Sequence, residues 1–274
     1  MPEKTVAAGL LLRDLRRKRK LTLQQAARLL HSSAPVLSRK ERGLLTLQRK
    51  DIEMAVAAFE LDDWEAYQLW IAAGFAPSPP KETSDIQFLR HMIRDLLAQI
   101  RYPAFASDLF SYVQAWNEGI ERIWTPSAVA PPVHILDDLF SGRIRTRMGS
   151  GWADYLLRAL RIFRLKTRPI ANDPRFRRLL RQLEAKHGAQ FVEMWNTSQQ
   201  AVSDDDLATG QPMPVIVQHD SPLGSIEYLV TQGVWANPYP WELNVYLPLG
   251  TENTSRYLAM MEGTDLSRVF FPKE

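Results

Sequence analysis

Two guanidinium groups, Arg39 and Arg42, stand one helical turn apart in the run Ser33-Ala34-Pro35-Val36-Leu37-Ser38-Arg39-Lys40-Glu41-Arg42-Gly43. Their chemistry is recognition: a guanidinium fork pairs with the acceptor edge of guanine or with a phosphate oxygen. Catalysis needs an activated nucleophile, an acid/base pair or a metal cluster, and none of these converges here. The chain has no cysteine, which removes thiolate ligands, a cysteine nucleophile and a disulfide framework. Met148-Gly149-Ser150-Gly151 lacks the glycine spacing of a nucleophile elbow. His219-Asp220-Ser221 holds triad residue types, but three sequence neighbours cannot converge, and the stretch reads as a turn before Pro222. Asp204-Asp205-Asp206 lacks the glycine and glutamate of a calcium loop and reads as a solvated acidic loop. The expectation is no enzyme, no metal and no required cofactor.

Basic charge is concentrated where these arginines lie. Residues 1–50 carry 13 Lys+Arg against 3 Asp+Glu, a balance of +10, within a chain whose net charge is +3. Residues 51–100 come to −6 and residues 201–274 to −7, so the basic end is a local feature. Such a cluster attracts phosphate and releases counterions on binding, which points to double-stranded DNA as a partner.

The elements that must hold these side chains are helices. Val6, Leu10, Leu11 and Leu15 fall on one side of a first helix over Val6 to Arg17. Thr22 caps a second, with Leu23, Ala26, Ala27 and Leu30 inward, ending near His31. Ser33 caps a third, Pro35 suits its first turn, and Gly43 stops it. On this helix Val36, Leu37 and the stem of Lys40 are expected inward, leaving Ala34, Pro35, Ser38, Arg39 and Arg42 free for the major groove. Two more helices, near Leu47 to Glu60 and Asp62 to Ala73, close a five-helix domain over residues 1–75.

Residues 7–74 resemble the XRE-type helix-turn-helix family. The resemblance is carried by Leu12, Arg13, Leu15 and Arg16, by Leu21, Thr22 and Ala27, and by Ser33, Leu37, Ser38, Glu41 and Gly43. Leu23 stands where the family has glutamine, which removes an expected phosphate contact, and Leu47 where it has proline. The resemblance implies that Ser33, Ala34, Pro35, Ser38 and Arg39 approach base edges, with Arg39 the best direct reader. It implies that Arg13, Arg16, Arg42 and Lys50 approach phosphates, with Thr22 at the start of the second helix.

Residues 76–83, APSPPKET, form a proline-rich linker that cannot continue a helix. Beyond it Asp85 caps a helix with an apolar stripe of Ile86, Leu89, Ile93, Leu96, Leu97 and Ile100, suited to a dimer seam or to packing on the next domain. Strand-like pieces follow at Ala104 to Ala106 and Ser111 to Ala115, then a helix opened by Trp116-Asn117, then helical segments around 134–140, 151–165 and 174–197. The last third, at Pro214 to Gln218, Gly224 to Gln232 and Glu242 to Leu247, alternates as an antiparallel sheet and ends in a helix near Thr254 to Met261.

The whole is α+β: an all-α five-helix domain, then a PAS-like antiparallel sheet with flanking helices over residues 84–274. Residues 84–262 resemble the C-terminal domain of MmyB-like transcription regulators. The matching residues are Tyr102-Pro103-Ala104, Trp116-Asn117, the helix Trp152 to Arg161, Asn172-Asp173-Pro174-Arg175 with Leu180 and Leu183, and Phe191 with Trp195. The resemblance implies a bacterial cytoplasmic regulator whose second domain binds an apolar small molecule, with a long-chain fatty acid as the expected class.

Trp116, Trp124, Trp152, Leu156, Leu160, Phe163, Phe191 and Trp195 are candidate ligand contacts, although aromatics at helical spacing are more often core. Arg158, Arg161 and Arg164 are candidate partners for a ligand carboxylate, Arg161 foremost. No apolar run approaches the roughly 20 residues of a membrane span, so no membrane partner is expected. The expected assembly is a homodimer. Two rival readings stay open: a constitutive DNA binder whose second domain serves dimerisation or a partner protein, and an enzyme hidden in the PAS-like domain.

Overall fold

The computed structural model describes residues 2–77, 83–128, 132–148, 151–200, 215–235 and 241–272. Most of the expected linker, at 78–82, and the acidic run at 204–206 lie outside the described residues. The chain falls into two compact units: one holds the N-terminal residues together with Arg168–Arg178, the other most of the rest.

The first unit opens with α1 (Pro2–Lys18), α2 (Leu23–Leu29) and α3 (Ala34–Glu41), followed by α4 (Arg49–Ala58) and α5 (Asp63–Ala72). Leu12, Ala26, Leu37, Ile52 and Leu69 meet in one core, nearly or fully buried. Local chemistry sets the helix ends. Thr22 Oγ1 accepts from the Gln25 amide while the Gln25 side chain accepts from the Thr22 amide, and Asp62 and Glu65 repeat this reciprocal cap at α5. Gly43 stops α3 at φ +70°, and a Cβ there would meet the Val6 backbone at 2.6 Å, so glycine is required twice over. Leu47, in the family's proline position, is buried, and the turn before α4 is held by Asp51 accepting from the Gln48 amide.

The segment Arg168–Arg178 belongs to this unit through Asp173. Its buried carboxylate accepts from Arg49 Nη2 at 2.7 Å, from the Ala76 amide at 3.0 Å and from Arg175. Burial alone would raise the Asp173 pKa; Arg175 and the amide donors outweigh it and hold the group below the usual carboxylate range.

The second unit begins with α6 (Thr83–Gln99), whose Leu89, Ile93 and Leu97 are buried. These three pack on the sheet, against β1 (Ala104–Asp108) and β2 (Val113–Asn117), as one of the two expected uses of the stripe has it, while Ile86 stays exposed. Then come α7 (Glu118–Ile123), α8 (Ile135–Leu139), α9 (Gly142–Met148), α10 (Trp152–Thr167) and α11 (Pro174–Gln200), the last of which leaves the first unit after Arg178. The chain closes with β3 (Val215–Ser221), β4 (Gly224–Trp235), β5 (Trp241–Pro248), α12 (Gly250–Met260) and β6 (Val269–Phe270). The six strands form one sheet in the order β3-β4-β5-β1-β2-β6, all neighbours antiparallel. This is the expected antiparallel sheet with flanking helices.

Two local expectations change. Trp116 lies within β2 rather than opening a helix, paired with Phe270 of β6, while Asn117 ends the strand and caps α7. The Asn117 side chain also accepts from the Ala104 amide and donates to the Ile100 and Tyr102 carbonyls, so one amide joins three elements. His219, Asp220 and Ser221 continue β3, and the turn comes after them.

Candidate DNA-reading face and ligand cavity

On α3, burial sorts the side chains cleanly. Leu37 is 1% and Glu41 4% exposed, and Lys40 turns to Asp51 at 2.6 Å. Ser33, Pro35, Arg39 and Arg42 are exposed, and Ala34 and Ser38 half-buried. Val36 departs from expectation: it is exposed, because the core beneath this short helix is filled by Leu37. Ser33 caps by backbone conformation without a side-chain bond, so its hydroxyl is not spent on the helix. Arg42 Nε donates weakly to the Ser38 carbonyl, which leans it back along α3.

The expected phosphate contact by Arg16 is corrected. Its guanidinium is buried and gives Nε to Glu41 Oε1 at 2.6 Å, Nη2 to Glu41 Oε2 at 2.9 Å and Nη1 to the Leu21 carbonyl at 2.8 Å. Its pKa is raised, first by the hydrogen bonds to Glu41. Arg16 therefore clamps α1 to α3, and its fork, buried and turned onto Glu41, is not placed to meet a phosphate. Arg13 is half-buried, its Nε 3.9 Å from Asp14. Thr22 caps α2 from an exposed position, and Lys50 is exposed on α4.

Other cations of the basic segment are also engaged. Lys18 and Arg19 both pair with Glu65, whose pKa falls to about 2 chiefly through its hydrogen bond from Arg19. Arg17, Lys20, Arg28, Arg39, Arg42 and Lys50 are exposed and make no ion pair among the described residues. Arg17, Lys20 and Arg28 are thus candidate phosphate contacts that sequence reasoning passed over.

Among the described residues the second unit forms cavities of about 20 and 50 Å³, each partly open to solvent. Ile120, Ile123, Trp124, Leu139, Ile144 and Met148 make the smaller one apolar. The larger has an apolar side, including Phe105, Leu136, Ile162 and Phe163, and a polar end of Lys166, Gln232, Glu242 and Asn244. Ile135, Tyr155 and Tyr246 line both, and the two tyrosine hydroxyls are 3.3 Å apart. At the polar end Lys166 Nζ donates to Glu242 Oε2 at 2.6 Å, and Gln232 donates to Asn244 Oδ1 at 2.7 Å.

Of the ligand contacts expected from sequence, Trp124 and Phe163 line these cavities. The others are placed elsewhere. Trp116 stacks on Phe270 and donates to Glu121, and Trp152 donates to the Leu139 carbonyl. Leu156 and Leu160 are fully buried core, and Arg161 is half-buried on the same helix. Phe191 stacks on Trp195, over which Arg164 sits at 3.7 Å from the ring centre. Arg164 is therefore committed to Trp195 and Ser198, and the cation at the cavity is Lys166. Sequence reasoning missed Lys166, although it lies on the Tyr155, Ala159, Ile162, Phe163 face of α10 at helical spacing.

A basic helix-turn-helix joined to a domain with internal cavities is the build of a DNA-binding transcription regulator with a ligand-binding domain. Family comparison agrees: a helix-turn-helix domain model matches residues 7–67, and the model of the MmyB-like transcription regulator ligand binding domain matches residues 89–235. The chain belongs to the MmyB-like family of transcription regulators. No curated protein matches it as a relative. No helix among the described residues is long and apolar enough to cross a membrane.

Proposed function

We propose that the second unit binds an apolar small molecule with one polar end, of the long-chain fatty acid class, and that this binding modulates operator affinity in a homodimer. The observation that carries the reading is the pair of cavities that share Ile135, Tyr155 and Tyr246 in their lining, one mostly apolar and the other provided with Lys166. Ligand sites for small molecules occupy about 300–1,000 Å³. The two cavities hold far less, so the ligand must part the tyrosine pair and merge them. Its chain then lies against Ile120, Ile123, Leu139 and Met148, and its carboxylate competes with Glu242 for Lys166.

Operator modulation has a covalent route. Lys166 lines the larger cavity near the end of α10, and the chain runs at once into Arg168–Arg178, which belongs to the DNA-binding unit. On the DNA side, Arg39 reads a guanine and the exposed Arg42 and Lys50 meet phosphates.

Gentle purification, organic extraction and mass spectrometry test the ligand class: a stoichiometric long-chain carboxylate supports it, and an empty protein that ignores added fatty acid refutes it. Linkage tests the coupling, because ligand must change operator affinity by the factor by which operator changes ligand affinity. Equal operator affinity with and without ligand rejects modulation. Sedimentation of the full chain on and off DNA decides the homodimer.

A further inference from the structure

The free face of α3 is unusual for a surface that must grip a polar groove. Its first turns present Pro35 and Val36, the latter 36% exposed, to solvent. Neither aliphatic side chain joins the core cluster of the unit, although the half-buried Ala34 beside them does. Arg39 is the one exposed side chain between Ser33 and Arg39 long enough to make two hydrogen bonds to a base. It follows Val36 by three residues and Pro35 by four, so all three share one side of the helix.

Apolar surface in such a place is matched by one group of the major groove, the C5-methyl of thymine. The surrounding charge names DNA as the occupant: residues 1–50 balance at +10, and Arg28, Arg42 and Lys50 stand exposed nearby in sequence. An apolar partner protein would gain nothing from so basic a border.

We propose that Val36 is a specificity-determining residue that reads a thymine methyl beside the guanine read by Arg39, with Pro35 shaping the same apolar surface. The inference rests on DNA binding by α3 and adds what the helix selects. Three residues of helix span about 4.5 Å of axis, and successive base pairs are about 3.4 Å apart. The thymine therefore lies within about two base pairs of the guanine.

Uracil supplies the test, because it removes the methyl and leaves the hydrogen-bonding edge intact. A binding site is first selected from randomised duplex DNA with the full chain, and each thymine is then replaced singly by uracil. One replacement, within two base pairs of the guanine whose loss Arg39→Ala tolerates, weakens wild-type binding about fourfold, the worth of one buried methyl. Val36→Ala binds the thymine and uracil sites alike and is equally sensitive to replacement of the guanine. Circular dichroism and unfolding midpoint confirm that the variant is folded, as expected for an exposed helical position. A site in which no uracil weakens binding overturns the proposal, as does a uracil penalty that survives in Val36→Ala. Failure to enrich any sequence would instead overturn sequence-specific reading by α3 altogether, and the proposal with it.

Discussion

Each unit buries a carboxylate against a cation from a distant element, and the two pairs are built to different ends. In the first unit Arg16 grips Glu41 with two parallel bonds and gives a third to the Leu21 carbonyl. In the second, Lys166 makes one short hydrogen bond to Glu242 and faces a cavity. A buried planar fork that binds both oxygens of one carboxylate and a carbonyl besides is a fastener. An ammonium with one bond made and space before it keeps donors to offer, which is the role we propose for Lys166. Burial is similar in both pairs, so what distinguishes them is the free volume beside the cation.

The strongest way to break this comparison is to remove each cation in turn. Arg16→Met leaves Glu41 buried with no countercharge and is expected to cost about 3–5 kcal/mol in denaturant unfolding, abolishing DNA binding with it. Lys166→Met is expected to cost about 1–2 kcal/mol, because water can enter the cavity and reach Glu242. Equal losses would show that the cavity makes no difference. A Lys166→Met protein that still takes up the fatty acid with wild-type affinity would remove Lys166 from the site.

A pH series sharpens the contrast between the units. His134, 3% exposed, donates from Nε2 to the Phe110 carbonyl and accepts the Asp137 amide on Nδ1, an arrangement that only the neutral ring can make. Burial lowers its pKa to about 4. The unfolded chain takes the proton first, so this group withdraws stability as pH falls from about 6.5 to 4, a total of about 3 kcal/mol. Burial pushes the Asp108 carboxyl up to about 6, which works in the opposite direction over much of the same window. His134→Gln should therefore gain about 3 kcal/mol over wild type as pH 4 is approached and little at pH 7.5, measured by guanidinium unfolding at both pH values. A constant difference between the proteins would refute a neutral His134. In the first unit, Glu65 withdraws its contribution only below about 4.5, as pH falls toward about 2.

Smaller effects belong to the DNA face. Arg39→Ala should cost about 1–3 kcal/mol on the selected site and relax preference at one base pair, whereas Arg42→Ala should weaken all sequences alike and reduce the salt dependence of binding by about one phosphate. Unchanged base preference in Arg39→Ala would move the reading role to another residue. A full salt slope in Arg42→Ala would remove it from the phosphate contacts.

Much of this was legible in the residues. Thr22, Ser33, Pro35 and Gly43 mark helix ends through local chemistry, so the helix-turn-helix could be read directly. The alternating strands of the last third and the antiparallel sheet could be read as well. What could not be read depends on contacts distant in sequence. Nothing near Arg16 tells that it, rather than Arg13 or Arg17, meets Glu41 25 positions away. Val36 and Leu37 are adjacent aliphatic residues, and only the core beneath decides which one turns in. β6 is two residues long and exists through its pairing with Trp116 and Asn117. The grouping of Arg168–Arg178 with the first unit rests on Asp173 meeting Arg49. Lys166 was within reach, since it continues the inward face of α10, but a lysine near the end of a helix more often points to water.

Gly188 interrupts α11 at φ 58° and ψ −140°, a backbone state that side chains other than glycine's oppose. Mechanically, α11 is two rods on a pin: one extends from the Arg168–Arg178 segment, and the other carries Phe191 and Trp195. The run from Trp152 to Thr167 is an unbroken strut. The coupling we propose would run along this strut, the unkinked one of the two spans that lead to the Arg168–Arg178 segment.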